Sequence, residues 1–92
     1  MAIHVHIAGR VQGVGYRASF ARQATALGLR GWVRNRRDGS VEAWVDGDGA
    51  ALDAIVLWAK RGPSAARVAR VTVEDSEADG PATDGVEIHP TL

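Results

Sequence analysis

Ile3, Val5 and Ile7 alternate with Ala2, His4 and His6, and this period of two predicts a strand with one buried face, ending at Gly9. From Arg17 to Leu27 the spacing changes: Phe20, Ala24 and Leu27 recur as on one side of a helix, and Gly28 follows as a C′ residue. Leu29 to Arg37 and Ser40 to Asp46 flank Asp38-Gly39, a pair suited to the positive-φ positions of a tight turn, so an antiparallel hairpin is expected. Gly49 to Lys60 places Leu52, Ile55, Val56 and Ala59 on one helical face before Gly62-Pro63 stops it. Val68 to Val73 reads as a strand, Glu74 to Asp84 as an acidic loop, and Val86 to His89 as a short edge strand.

The order is β-α-β-β-α-β with one further strand, which predicts an α+β, ferredoxin-like sandwich: two helices on one face of a mainly antiparallel sheet. Val33, Val41, Ala43 and Val45 form the expected helix-facing set, with Trp32 and Trp44 packing on the uncovered face. A chain of 92 residues supports one core, so residues 1–92 are read as a single domain. Hydrophobic residues at 46% and charged residues at 24% are ordinary for an ordered globular chain. The absence of cysteine excludes disulfides, a thiolate nucleophile and Cys-ligated zinc. Neither a signal-peptide pattern nor an apolar run of spanning length is present, and a cytoplasmic protein without membrane contact is expected.

Charge changes this picture. The formal net charge is zero, which argues against a globally basic nucleic-acid binder, yet seven arginines lie between Arg10 and Arg37 and no carboxylate side chain precedes Asp38. After Arg70 every charged residue is acidic. The anion-handling half is therefore the N-terminal one. There, Gly9-Arg10-Val11-Gln12-Gly13-Val14-Gly15-Tyr16-Arg17 joins the first strand to the first helix. A glycine-rich turn in this place is often only a turn. It can also point successive backbone N–H groups at an anion, helped by the positive end of the helix dipole, and Arg17 adds a guanidinium able to clamp phosphate oxygens in bidentate fashion. A Walker A loop is excluded because no Gly-Lys-Ser/Thr closes the segment. A dinucleotide fingerprint fits Gly13-x-Gly15-x-x-Ala18 superficially, but the acidic residue about 20 positions on would be Asp38, in a hairpin turn.

Gly9-x-Val11-Gln12-Gly13-Val14-x-x-Arg17 resembles the first signature of the acylphosphatase family, and Gly31-Trp32-Val33-Arg34-Asn35 with Gly39, Val41 and Gly47 resembles its second. Gly62-Pro63 with Ala66 and Val68 is similar to the family's exit from its second helix, so the resemblance spans nearly the whole chain. It departs at Tyr16 and Val86, where the family more often has Phe; neither is a catalytic position there, so local packing and pocket polarity are what these departures touch. The resemblance implies hydrolysis of acyl phosphates to carboxylate and inorganic phosphate by direct water attack, with no cofactor, metal or covalent intermediate. It implies that Val11, Gln12, Gly13, Val14, Gly15, Tyr16 and Arg17 cradle the phosphoryl group, that Arg17 binds it, and that Asn35 positions the water. Strand parity puts Asn35 on the side of Val33, where the first helix and its loop are expected.

Blander readings stand beside these. On spacing alone Asn35 is an ordinary polar residue before a hairpin, and Arg30, Arg34, Arg36 and Arg37 are solvated charges, some of them able to steer an anion. His4 and His6 share a strand face but make an incomplete metal-ligand set, so no metal is expected. Trp32, Trp44 and Trp58 read as packing residues. Aromatic side chains beside arginines on such a sheet also suit an RNA-binding platform, against which stand the missing RNP motifs and the zero net charge. That non-catalytic RNA- or anion-binding module is the alternative function, including a maturation module that keeps the cradle and has lost turnover; no nucleic-acid partner is expected on the main reading.

Overall fold

In the computed structural model, which describes residues 1–81 and 84–92, Ile3, Val5 and Ile7 are buried along β1 (Ala2–Arg10). The remaining elements are α1 (Tyr16–Ala26), β2 (Arg30–Asn35), β3 (Val41–Asp46), α2 (Gly49–Arg61), β4 (Arg67–Ser76) and β5 (Val86–Ile88). The strand order is β4-β1-β3-β2-β5, with antiparallel pairing throughout except for β5, which runs parallel to β2. Two helices on a five-stranded mixed sheet make the ferredoxin-like α+β arrangement that the periodicities predict.

Register builds the core. Ile3, Val5 and Ile7 lie opposite Val45, Ala43 and Val41, and Val33 lies opposite Ala43 from the other side. All seven are buried, so three strands present one continuous apolar layer to the helices. On α2, Leu52, Ile55 and Ala59 are buried and Val56 packs against the cluster as a half-buried residue. Trp58 leans on Tyr16 and Phe20, with ring centroids 5.4 and 6.0 Å away. Phe20 has no exposed surface, and its truncation to Ala would cost about 3–5 kcal/mol.

Three expectations need correction. Leu27 does not join the buried face of α1; it is the C-cap residue and 38% exposed, because the helix ends at Ala26. The chain turns at Gly28 (φ 79°), and Leu29 takes the core position, its N–H donating to the Ala24 carbonyl at 3.0 Å. Asp38 does not adopt positive φ. The Arg36 N–H donates to the Ser40 carbonyl and the Gly39 N–H to the Arg36 carbonyl, leaving a three-residue loop with only Gly39 (φ 94°) left-handed. The strand after α2 runs beyond Val73 to Ser76, shortening the acidic loop.

The chain beyond Ser76 covers part of the face opposite the helices. The Trp44 indole N–H donates to Ser76 Oγ, and the backbone at Gly80 passes so close to the Trp44 ring that a Cβ there would collide with it. Arg30 holds this segment by donating to the Pro81 carbonyl while its guanidinium sits 5.5 Å from the Trp44 ring centroid. Trp44 is thus buried, whereas Trp32 on the same face stays half-buried, stacked on His89 at 5.6 Å and under the Arg34 guanidinium at 4.7 Å. The first expected strand face and both tryptophan orientations hold, and within the expected acidic loop Ser76, Gly80 and Pro81 pack on that face against Trp44 and Arg30. Among the described residues no helix is long and apolar enough to cross a membrane.

Candidate active site

The turn between β1 and α1 has left-handed glycines at Gly13 (φ 75°) and Gly15 (φ 78°). A Cβ on either would meet nothing within 4 Å, so backbone conformation, not crowding, is what demands glycine there. Gly15 is the N-cap of α1 and carries no side chain to bond the helix's first N–H groups, and no acidic residue lies in the first turn. The other helix is different: the Asp48 carboxylate caps α2 by accepting from the Ala50 N–H at 3.2 Å. The chain satisfies one helix start with its own anion and leaves the other open toward a cleft. Donors and the positive dipole end remain available there to an anion from outside.

That cleft encloses about 200 Å³ and is lined by Val11, Gly13, Gly15, Tyr16, Arg17 and Asn35, with Ala18 and Ile88. Arg17 stands in the first turn of α1, one guanidinium nitrogen donating to the His89 carbonyl at 3.3 Å. No carboxylate among the described residues pairs with it. Asn35 closes β2, its carbonyl accepting from the Leu92 N–H at 3.2 Å, while its side-chain amide has no partner among the described residues. A cation with one guanidinium nitrogen engaged and no carboxylate partner among the described residues, and an amide without a partner among them, therefore line the same cleft.

Two other loop residues point elsewhere. The Gln12 amide donates to the carbonyls of Arg36 at 2.6 Å and Ser40 at 2.9 Å, tying the loop to the hairpin that carries Asn35. Val14 is half-buried against the core. Of the seven residues expected to form the cradle, Val11, Gly13, Gly15, Tyr16 and Arg17 line the cleft, and Gln12 and Val14 do not. Tyr16 is buried, and its hydroxyl donates to the Ala59 carbonyl of α2 at 2.7 Å; burial pushes the phenol's pKa far up. It acts as a fixed support beneath the cleft, not as a proton donor to it. Sequence reasoning missed Ala18 and Ile88. No local signal marks Ile88, because its place depends on the parallel pairing of β5 with β2.

Behind the cleft wall, on the opposite sheet face, Glu42 is a buried carboxylate that accepts from His4, Arg34 and Arg36. Burial raises its pKa, but the hydrogen bonds from Arg34, His4 and Arg36 together outweigh that and leave it below the usual value. His6 meets Ser40 Oγ at 2.9 Å, and Ser40 donates to Asp38, whose pKa these hydrogen bonds lower. His4 and His6 are thus engaged with Glu42 and Ser40, and no group of three metal-binding side chains exists among the described residues. Arg34 and Arg36, which spacing alone makes solvated charges, are structural partners of Glu42.

The profile of the acylphosphatase family matches residues 3–88. The chain is 51% identical to the acylphosphatase of Methylococcus capsulatus over 82 residues, 89% of each chain. It is 49% identical to that of Cupriavidus pinatubonensis over 89 residues, 97% of this chain and 96% of the other. Among solved structures, the acylphosphatase of Bacillus subtilis superposes with a TM-score of 0.88 at 33% identity, covering 96% of this chain and 97% of that one. Similarity of this extent runs through both signature segments, the cleft they share and the sheet that joins them, and the chain belongs to the acylphosphatase family.

Proposed function

We propose that this cleft performs the family's reaction, hydrolysis of an acyl phosphate to carboxylate and inorganic phosphate, with the phosphoryl group held by the backbone between Val11 and Arg17. The observation that carries the reading is the open N-terminus of α1, with Arg17 beside it and the free Asn35 amide across the same cleft. Arg17 neutralises phosphoryl oxygens. Asn35 accepts a hydrogen bond from water through its carbonyl oxygen and holds it in line with the scissile bond.

Water's oxygen bonds to phosphorus as the bond from phosphorus to the acyl oxygen breaks. The carboxylate leaves without strong protonation, so no general acid is required. An amide is not a base, and the water's proton passes to a phosphoryl oxygen of the substrate. Catalysis then consists of positioning and of stabilising charge in a loose transition state. The partners are a small acyl phosphate and its product phosphate. Family membership does not favour the non-catalytic RNA- or anion-binding alternative.

The test is hydrolysis of a small aryl acyl phosphate by the pure protein with a chelator present. Turnover is expected. Dependence on added divalent metal would overturn the mechanism, and salt-dependent RNA binding without hydrolysis would restore the alternative.

A further inference from the structure

The cleft does not end at Ala18 and Ile88. The same two residues begin a second groove, of about 560 Å³, that lies between α1 and β5 and is walled further on by Ala21, Thr25 and Val86. Two contacts bracket it. Near the cleft the Arg17 guanidinium donates to the His89 carbonyl at 3.3 Å, and at the far end Thr25 Oγ1 accepts from the Val86 N–H at 3.0 Å. Between them α1 presents the single methyl groups of Ala18 and Ala21, and Ile88 across from them is 50% exposed.

Sheet register gives the groove a direction. β5 runs parallel to β2, with Val86 opposite Gly31 and Ile88 opposite Val33. Asn35 lies two residues beyond Val33, at the end of β2. From the level of Ile88 to that of Val86 the groove therefore leads away from Asn35, and Val86 stands some four residues, roughly 13 Å, behind it along the strand.

Resting on the reading that the cleft hydrolyses acyl phosphates, we propose that this groove seats the acyl group and that Val86 limits its length, so the substrate is an acyl phosphate with an apolar acyl portion longer than acetyl. In-line displacement puts the attacking and leaving oxygens on opposite sides of phosphorus. With water held at Asn35, the acyl oxygen departs toward the groove. An apolar chain gains from burial against Ala18, Ala21, Val86 and Ile88; acetyl is too short to reach them all. A Phe at position 86, which the family more often has, would place a ring in the space this chain leaves open. Arg22 also lines the groove, its guanidinium donating to Ser19 Oγ at 3.3 Å with no carboxylate partner among the described residues, so a carboxylate at the end of the acyl chain is the competing choice.

Kinetics with straight-chain acyl phosphates from acetyl to octanoyl test this, because beyond acetyl the leaving carboxylates differ little in basicity and the differences report the groove. For the wild type, kcat/KM should rise about two- to fourfold for each methylene buried, through KM with kcat nearly constant, and level off once the chain passes Val86. Val86→Phe should lower the ratio of pentanoyl to acetyl kcat/KM at least fivefold. Ala26→Phe, which adds a ring at an exposed position lining the same groove, should lower that ratio without touching the core. Glutaryl phosphate should be a poorer substrate than pentanoyl phosphate. Hydrolysis of acetyl phosphate without dependence on chain length, a length dependence that both variants keep in full, or a preference for glutaryl phosphate would each overturn the proposal and leave the hydrolase reading standing. Failure to hydrolyse any member of the series would overturn that reading and the groove's role with it.

Discussion

The hydroxyl of Tyr16 donates to the main-chain carbonyl of Ala59, 43 residues away, and supplies a hydrogen bond that α2 cannot make for itself. The carbonyl at position 59 would ordinarily accept the N–H four residues on, and that residue is Pro63, which has none. The departure to tyrosine at this position is therefore compensated chemistry at the end of α2. Tyr16→Phe should cost about 1–3 kcal/mol by stranding a buried carbonyl, seen as a Tm lower by several degrees, with kcat near that of the wild type. Because burial raises the phenol's pKa, the contribution is complete below the free phenol's pKa, near ~10, and is lost as pH rises above it. The Tm difference between wild type and variant should accordingly narrow only in strong alkali.

Arg17 and Asn35 separate by kinetics. Asn35→Ala should lower kcat by a factor on the order of 10² or more, the cost of an unpositioned nucleophile, while inhibition by phosphate stays nearly unchanged. Arg17→Ala should weaken phosphate inhibition and kcat together. Near-normal kcat in Asn35→Ala would remove the role assigned to it.

Gln12 joins the two halves of the cleft without lining it. Gln12→Ala leaves the loop and the Arg36 to Ser40 turn without their two side-chain bonds. A shift of about 1 Å between cradle and Asn35 is enough to cost on the order of 10²-fold. kcat/KM should fall well beyond what the accompanying Tm loss accounts for, and a Gln12→Glu variant should not restore it, because a carboxylate cannot donate to two carbonyls.

Glu42 sets an acid limit. Its pKa is lower in the folded state than in the unfolded chain, so its contribution is present above the unfolded value of about 4.3 and disappears as pH falls through the folded value. Glu42→Gln, which leaves Arg34 and Arg36 beside a neutral amide, should cost about 2–4 kcal/mol at pH 7. The gap to wild type should close in denaturant titrations carried out below pH ~4.

How far the sequence could be read depends on whether a residue's role is local. Alternation in β1 and β3 and the apolar face of α2 are short-range patterns, and they located those elements, the core layer and the loop that opens the cleft. Leu27 was misplaced because a periodicity continues on paper past the point where Gly28 turns the chain. The acidic segment reads only as a loop, since nothing in it announces that Ser76 and Gly80 meet a tryptophan on another strand. Gln12 lies in the turn before α1 and Tyr16 begins that helix, but their side-chain partners at Arg36, Ser40 and Ala59 are contacts between distant segments. Ile88 enters the cleft only through the pairing of β5 with β2.

The uncapped start of α1 also makes the ambient anion concentration a variable of this protein's stability. A helix capped by glycine, as α1 is by Gly15, forgoes only a few tenths of a kcal/mol relative to a capping side chain, and an anion bound there returns more than that by mass action. On the proposed reading, phosphate at a hundred times its dissociation constant would raise the unfolding free energy by about 2.7 kcal/mol. Product inhibition and protection from unfolding would then be one binding event seen from two sides, so the enzyme would be most durable where its own product slows it.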